Sequence, residues 1–403
     1  MDYAAVLLLA LPLLLCAADS SIAAEGRWKK HVINATSSFE CAGVGDINGD
    51  GKLDIVCGDS WYEAPTWKRH HFRDVAPAGH YYKDFSNFVT DVNGDGLPDV
   101  VIASYFDSSL VWVEHPRKLG DPWVEHPIDK PGPIEALALA DINGDGRPEL
   151  LPNSVNVVVW YEWKPGKGSV EWIKHDLGTE GAGHGLGYGD VNGDGRVDII
   201  TPTGWFEHPA NPADKWVFHK EFDLGPTGLS ILAYDVDGDG LSDIVWGMGH
   251  DYGMFWLKQT RGPGGSRQWE KRTIDKSWSE SHVLMPVDLD NDGDPWLVTG
   301  KRVYAHEAEP GATDAPCVYA YRYNKKDHNW DKMVISESAP AANAPATAEE
   351  RSAQKDFAPN SPGTGLEITA VDLFKNGGLC LVCPGKTGLY VFEDTKHKRK
   401  PRK

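Results

Sequence analysis

Short apolar runs recur along the chain, such as Asp54-Ile-Val and Asp198-Ile-Ile, and each follows a turn rich in Asp, Asn and Gly. A second short apolar segment precedes each turn, so the pattern predicts strands joined by tight turns rather than helices. Those turns share one form, D-x-N/D-x-D-G-x-x-D/E, with intact copies beginning at Asp46, Asp91, Asp141, Asp190 and Asp235. Two worn copies begin at Asp288, whose ninth position is Trp296, and at Asp372, which has lost most of its carboxylates. An independent motif, Trp-x-x-His or a worn form of it, gives the same count of seven, beginning at Trp28, Trp67, Trp123, Trp172, Trp216, Trp269 and Trp330.

Repeats of about 45 to 50 residues, each holding several short strands, are the signature of a β-propeller blade. One repeat reads as strand, turn, strand, a Trp-Tyr-Glu-like strand (Trp61-Tyr62-Glu63, Trp112-Val113-Glu114, Trp160-Tyr161-Glu162, Trp205-Phe206-Glu207), then the Trp-x-x-His strand. The first Trp motif precedes the first turn, and no Trp motif follows the last. The expected fold is therefore an all-β, seven-bladed propeller over residues 25–395, its ring closed by the N-terminal strand Trp28 to Ile33. The five histidines of the Trp-x-x-His strand, and His115 and His208, are expected to be structural.

The turns suit calcium, because side-chain oxygens fall at positions 1, 3, 5 and 9 with Gly at 6. The expected ligands are Asp46, Asn48, Asp50 and Asp54 in the first loop and Asp91, Asn93, Asp95 and Asp99 in the second. Asp141, Asn143, Asp145 and Glu149 follow in the third, Asp190, Asn192, Asp194 and Asp198 in the fourth, and Asp235, Asp237, Asp239 and Asp243 in the fifth. Position 12 is Cys57, Ile102, Pro152, Thr201 or Trp246 rather than Glu, which excludes EF-hands. About five calcium sites are expected, the two worn loops binding weakly or not at all.

Composition changes this picture little. The formal charge of -19 would suggest a basic partner, but the five intact loops alone hold 16 Asp or Glu, so most of the acidity is ligand charge. Nucleic-acid binding is disfavoured. Residues 1–24 hold an apolar run from Ala4 to Ala18 followed by small residues, which reads as a signal peptide cleaved near Ala18 or Ala24 and places the mature chain in a secreted or periplasmic setting. No other stretch approaches a membrane span, and a monomer is expected. Residues 339–365 read as a surface loop inserted in the sixth blade, and residues 396–403 as a basic tail. That setting permits disulfides, although the five cysteines after Cys16 leave at least one unpaired.

In a propeller, equivalent positions of the first strand of each blade converge on the axis. Six residues before each loop stand Glu40, Phe85, Glu135, His184, Leu229, His282 and Leu366. The link between the second and third strands returns to the same face, and it carries His250 and Asp251 in blade five and His306, near Lys301 and Arg302, in blade six. Imidazole with carboxylate suits zinc or another divalent metal such as magnesium, and also suits proton abstraction. Cations such as Lys301 and Arg302 could hold an oxyanion.

The loops resemble the FG-GAP/VCBS repeats of integrin alpha-type propellers and of many secreted bacterial proteins, a resemblance that implies the fold and calcium. Gly183-His184, Gly249-His250-Asp251, Ser281-His282 and Gly300-Lys301-Arg302 with His306 are further similar to the propeller domain of aldos-2-ulose dehydratase, a metal-dependent sugar lyase. That resemblance implies a lyase, dehydratase or isomerase acting on a sugar. Some of His184, His250, His282 and His306 would hold the metal, Asp251, Glu135 or an unligated histidine would be the base, and Lys301 or Arg302 would steady the enolate. The alternatives are a non-catalytic module gripping a glycan or protein, and a purely structural scaffold. Aromatics expected near that mouth are Trp61, Tyr105, Phe106, Trp205 and Tyr252.

Overall fold

The structure, a computed structural model, describes residues 21–22, 26–166, 169–306, 308–338 and 361–398. The expected signal peptide lies outside these residues except for Ser21–Ile22, as do 339–360 of the insert and the last residues of the tail. The regular secondary structure of the described residues is almost entirely β-strand, arranged as a propeller, and a single short 3-10 turn at Pro263–Gly265 is the only helical element among them. Each repeat forms an antiparallel meander whose first strand lies innermost; in the third, for example, the order is Ile134–Ala140, Glu149–Ser154, Val158–Gly166, Ser169–Gly178.

Separate sheets of blade size number five, not the expected seven. The difference lies in one continuous eight-stranded sheet containing the repeats that start at Leu186–Gly189 and Thr227–Tyr234. These two inner strands pair in parallel, Leu186 with Ser230, Gly187 with Ile231 and Tyr188 with Leu232. The physical cause is glycine: a Cβ on Gly187 would stand 1.9 Å from the Ile231 carbonyl oxygen, so only a bare backbone can approach closely enough to pair.

Two polar devices recur in the meanders, the first of them in repeats one to four. The tryptophan of the third strand faces the histidine of the fourth directly across the ladder, and the rings stack at centroid distances of 4.1 Å for Trp61 and His70, 4.4 Å for Trp112 and His126, 3.6 Å for Trp160 and His175, and 4.4 Å for Trp205 and His219. Each of these imidazoles also sets Nε2 2.7 Å from the glutamate two residues beyond its tryptophan, namely Glu63, Glu114, Glu162 and Glu207. Trp61 and Trp205 are thereby packed inside blades and not at the mouth where they were expected. The second device is the ninth loop residue. Asp54, fully buried, accepts the Ile47 and Ala64 amides at 3.0 and 2.8 Å, and Asp99, Asp198 and Asp243 repeat the arrangement. Each ties the start of its turn to the end of the third strand, satisfying amides that would otherwise be buried without partners.

The N-terminal strand Trp28–Asn34 forms the outer edge of the last sheet, antiparallel to Gly388–Lys398, with Trp28 opposite Asp394 and His31 opposite Val391. Ser21–Ile22 adds a parallel pair to Lys332 and Met333. Cys41, Cys57, Cys317, Cys380 and Cys383 are all buried free thiols. Ser361 to Gly365, expected in a surface loop, are instead buried: Thr364 N donates to Lys301 O at 2.9 Å, and Gly365 packs against the Glu40 backbone so closely that a Cβ there would lie 2.2 Å from Glu40 O.

Replacing Trp205 by Ala, which removes a fully buried ring and its histidine stack, is expected to lower stability by about 3–5 kcal/mol in denaturant unfolding. Gly187→Ala should also destabilise, by at least about 1–3 kcal/mol, because the new methyl meets backbone rather than a movable side chain. Wild-type stability for Gly187→Ala would contradict the parallel pairing.

Candidate functional site

The inner strands enclose a channel of about 820 Å³ walled by apolar residues such as Val44, Val89, Leu139, Ile231 and Met285, and the polar cluster occupies the preceding residues of the same strands. Several of these strands are irregular where the cluster begins. The register shifts between Ile134 and Leu137, between Thr227 and Ile231, and between Ser281 and Leu284, so bulges re-aim Glu135, Leu229 and His282. The seven equivalent positions fall into two groups. Phe85, Leu229 and Leu366 pack together with Cys41 and Ala136, while Glu40, Glu135, His184 and His282 join a polar network.

Arg302 organises that network. Fully buried, it donates through Nε to Glu40 Oε1 at 2.8 Å and through Nη1 to Glu135 Oε1 at 2.9 Å. Lys386 Nζ stands 3.7 Å from the other Glu40 oxygen and 3.6 Å from the centre of the Tyr81 ring, whose hydroxyl donates to Ala305 O. Burial alone would raise both glutamates. Arg302 and Lys386 outweigh it and hold Glu40 below its ordinary value, and His184 and Arg302 hold Glu135 well below the carboxylate range.

The second oxygen of Glu135 lies 2.9 Å from His184 Nε2. His184 Nδ1 is 2.7 Å from Thr227 O, and His282 Nδ1 is 3.2 Å from Glu280 O, so in both rings Nδ1 is the donor to a backbone carbonyl and Nε2 is the atom turned into the cluster. His184 Nε2 is buried and satisfies no hydrogen-bond geometry, whereas His282 Nε2 meets His306 Nε2 at 3.0 Å. His250 completes the group, its ring centroid 4.6 Å from His184, 5.7 Å from His282 and 4.0 Å from His306. Ligand atoms of His184, His250 and His282 lie within 4.8 Å of one another, as do those of Glu135, His282 and His306. Burial, with the neighbouring His184, pushes His250 down to about 4, while burial and Arg302 push His306 to about 2 and His282 well below the usual histidine range. The three rings are therefore neutral at physiological pH and offer lone pairs.

Not every expected residue belongs to this centre. Lys301 is fully buried, and its ammonium donates to Glu280 at 2.7 Å, Gly311 O at 2.8 Å and Ser279 at 3.0 Å, which uses all three protons. Arg302 is likewise committed to two carboxylates, because a buried cation is tolerated only when paired. Asp251 accepts its neighbour Tyr252's amide and joins neither cluster. Tyr252 bonds Asp314 at 2.6 Å. Tyr105 and Phe106 form an aromatic group with Tyr81 and Phe85, Phe106 remaining exposed.

Sequence reasoning missed Lys386, although it sits in the link between strands two and three of the last repeat, the same link that supplies His250 and His306. Gly249 was also legible as a packing glycine beside its histidine. A Cβ there would stand 2.6 Å from Thr227 O and 3.1 Å from His184 Cε1, displacing the ring from its carbonyl.

Residues 91–151 match the FG-GAP-like repeat family. No curated protein matches the chain. Among solved structures, the exotype rhamnogalacturonan lyase YesX aligns at 12% identity over 91% of this chain and 72% of its own, with a TM-score of 0.47. An Agrocybe aegerita lectin recognising non-reducing terminal N-acetylglucosamine aligns at 15% identity over 86% and 85%, with a TM-score of 0.45. BBS1N, solved in complex with ARL6DN, aligns at 10% identity over 92% and 98%, with a TM-score of 0.46.

Arg302→Leu is expected to cost about 3–5 kcal/mol at neutral pH by stranding two buried carboxylates. Its pH dependence should be opposite to wild type. The lowered Glu40 and Glu135 stabilise the wild type above the unfolded glutamate value of about 4.3, and that contribution is lost as pH falls. Without Arg302 both acids rise, so the variant's deficit shrinks on acidification. Parallel pH–stability curves would refute the network's charge assignment.

Proposed function

We propose that this chain is a metal-dependent lyase or isomerase acting on a sugar or sugar derivative, with the imidazole cluster as its centre. The observation that carries the reading is the placement of His184, its Nε2 buried 2.9 Å from Glu135 Oε2 with its Nδ1 committed to Thr227 O. Two lone-pair groups so close repel unless a proton or cation lies between them, and a backbone carbonyl behind Nδ1 is the usual second shell of a metal-bound histidine. His184, His250 and His282 would hold a zinc-like divalent ion, with Glu135 or His306 completing the set.

Such an ion supplies a Lewis acid for a carbonyl or hydroxyl oxygen of the substrate. The chain's own residues do the rest. Glu135 stays ionised and balances the charge of the centre; Arg302 orients it without touching substrate. His306, outside the ligand set when Glu135 completes it, is partly exposed beside the cluster and would accept the proton from the carbon next to the polarised group. Lys301 and Arg302 have no role in steadying an enolate, and Asp251 none as base.

Within the same reading, the ring has seven blades, the eight-stranded sheet being two blades fused through Gly187, and strand Trp28–Asn34 closes it. The chain is a secreted, calcium-stabilised monomer spanning residues 25–395. A second reading, a glycan- or protein-binding module, is favoured by the exposed Phe106 beside Tyr105, since aromatic faces stack on sugar rings.

Elemental analysis of untagged protein, wild type against His184→Ala/His282→Ala, separates the two. The enzyme reading expects one transition metal per chain, lost in the variant together with turnover of a keto-sugar panel. Calcium as the only metal, equal in both proteins, would abandon it for the binding module.

A further inference from the structure

We infer that the fifth and sixth loops do not hold calcium, because side chains from the third strand of each repeat supply the cation, and that the calcium sites are confined to the first four loops. The inference rests on the calcium reading of the loops and is independent of the chemistry at the imidazole centre.

Three positions switch together. Two residues beyond the third-strand tryptophan, repeats one to four carry Glu63, Glu114, Glu162 and Glu207, whereas the matching residues are Lys258 in repeat five and Arg322 in repeat six. The ladders fix this equivalence, since Trp256 faces Arg272 and Ala320 faces Met333 just as Trp205 faces His219. The fourth-strand histidine is thus replaced in both repeats. The third loop residue also changes, from Asn48, Asn93, Asn143 and Asn192 to Asp237 and Asp290. A glutamate that bonds a histidine, and in repeats two and four also the loop asparagine, has become a cation that bonds an aspartate.

The geometry follows from that exchange. Lys258 Nζ bonds Asp237 and also reaches Asp239 at 2.7 Å, bridging the third and fifth loop positions from a site only 15% exposed. Asp235, Asp237 and Asp239 are the carboxylates that converge within 4.8 Å, so the ammonium holds two of the three groups an ion would need there. In the sixth loop Arg322 Nη1 lies 2.7 Å from Asp292 and 3.2 Å from Asp290, which Arg27 also meets at 3.0 Å, and Trp296 donates to the same carboxylate at 2.8 Å. The contrast with the earlier loops is one of reach. Lys52 and Arg196 each touch a single carboxylate of their own loop, Asp50 and Asp194, at its rim. No ion pair from the third strand reaches loops one to four among the described residues. A tethered ammonium between two carboxylates competes at high effective concentration, and Ca²⁺ must break both contacts to enter.

Calcium content of the full chain, measured by elemental analysis after equilibration in about 1 mM Ca²⁺, tests this directly. Asp95→Ala in the second loop should remove one ion per chain, and Asp239→Ala in the fifth should remove none. Lys258→Met should add one ion and make the melting temperature newly responsive to chelator at that loop. Asp239 is on an exposed turn, so its variant keeps the test valid if Lys258→Met fails to fold. An ion lost with Asp239→Ala, or a folded Lys258→Met that gains none, overturns the inference. Calcium absent from the wild type altogether would overturn the reading of the loops as well.

Discussion

Arg302 is buried between Glu40 and Glu135, and the polar cluster at the inner strands depends on that arrangement. Its partners belong to the first and third repeats while it belongs to the sixth, so one guanidinium links distant blades across the axis. The planar fork is suited to this, because two carboxylates can be met at fixed angles in a space that excludes water. Holding Glu135 by one oxygen leaves the other directed at His184. His250, His282 and His306 can then lie close together without an unpaired charge among them.

The blades use the same residue types for a different purpose. His70, His126, His175 and His219 are stacked on tryptophan and paired through Nε2 with glutamate, partners that hold the imidazole at the ladder. His184 and His282 differ in having one nitrogen bound to a backbone carbonyl and the other turned toward further imidazoles and a carboxylate. Histidine is thus a bolt in one setting and a candidate ligand in the other. The distinction comes from what faces Nε2 and not from the residue.

Much of this was legible in the chain. The spacing of the Asp-Asn-Asp-Gly turns and the Trp-x-x-His strands identified the repeat, and counting back six residues from each turn located Glu40, Glu135, His184 and His282, because in a meander of fixed length equivalent positions reach the axis together. Lys301 and Arg302 were expected to face a substrate oxyanion, and the structure shows both paired within the protein. Their residue type announces a charge, yet only the fold reveals that Glu280 lies against one and Glu40 and Glu135 against the other. Trp61 and Trp205 were misplaced for a similar reason, since an aromatic suited to stacking on a sugar is equally suited to stacking on a cross-strand histidine.

Local periodicity therefore determined the elements, their order and the residues that approach the axis, since strand alternation and turn chemistry act over a few residues. Contacts between repeats were left to the tertiary structure. The parallel pairing at Gly187 merged two meanders into one sheet, and the bulges at Glu135 and His282 aimed those side chains inward. Which nitrogen of His184 meets a backbone carbonyl was settled by another segment, Thr227 lying 43 residues away. Charges and lone pairs are compensated by whatever lies nearest in space, and in a ring of repeats the nearest group is seldom near in sequence.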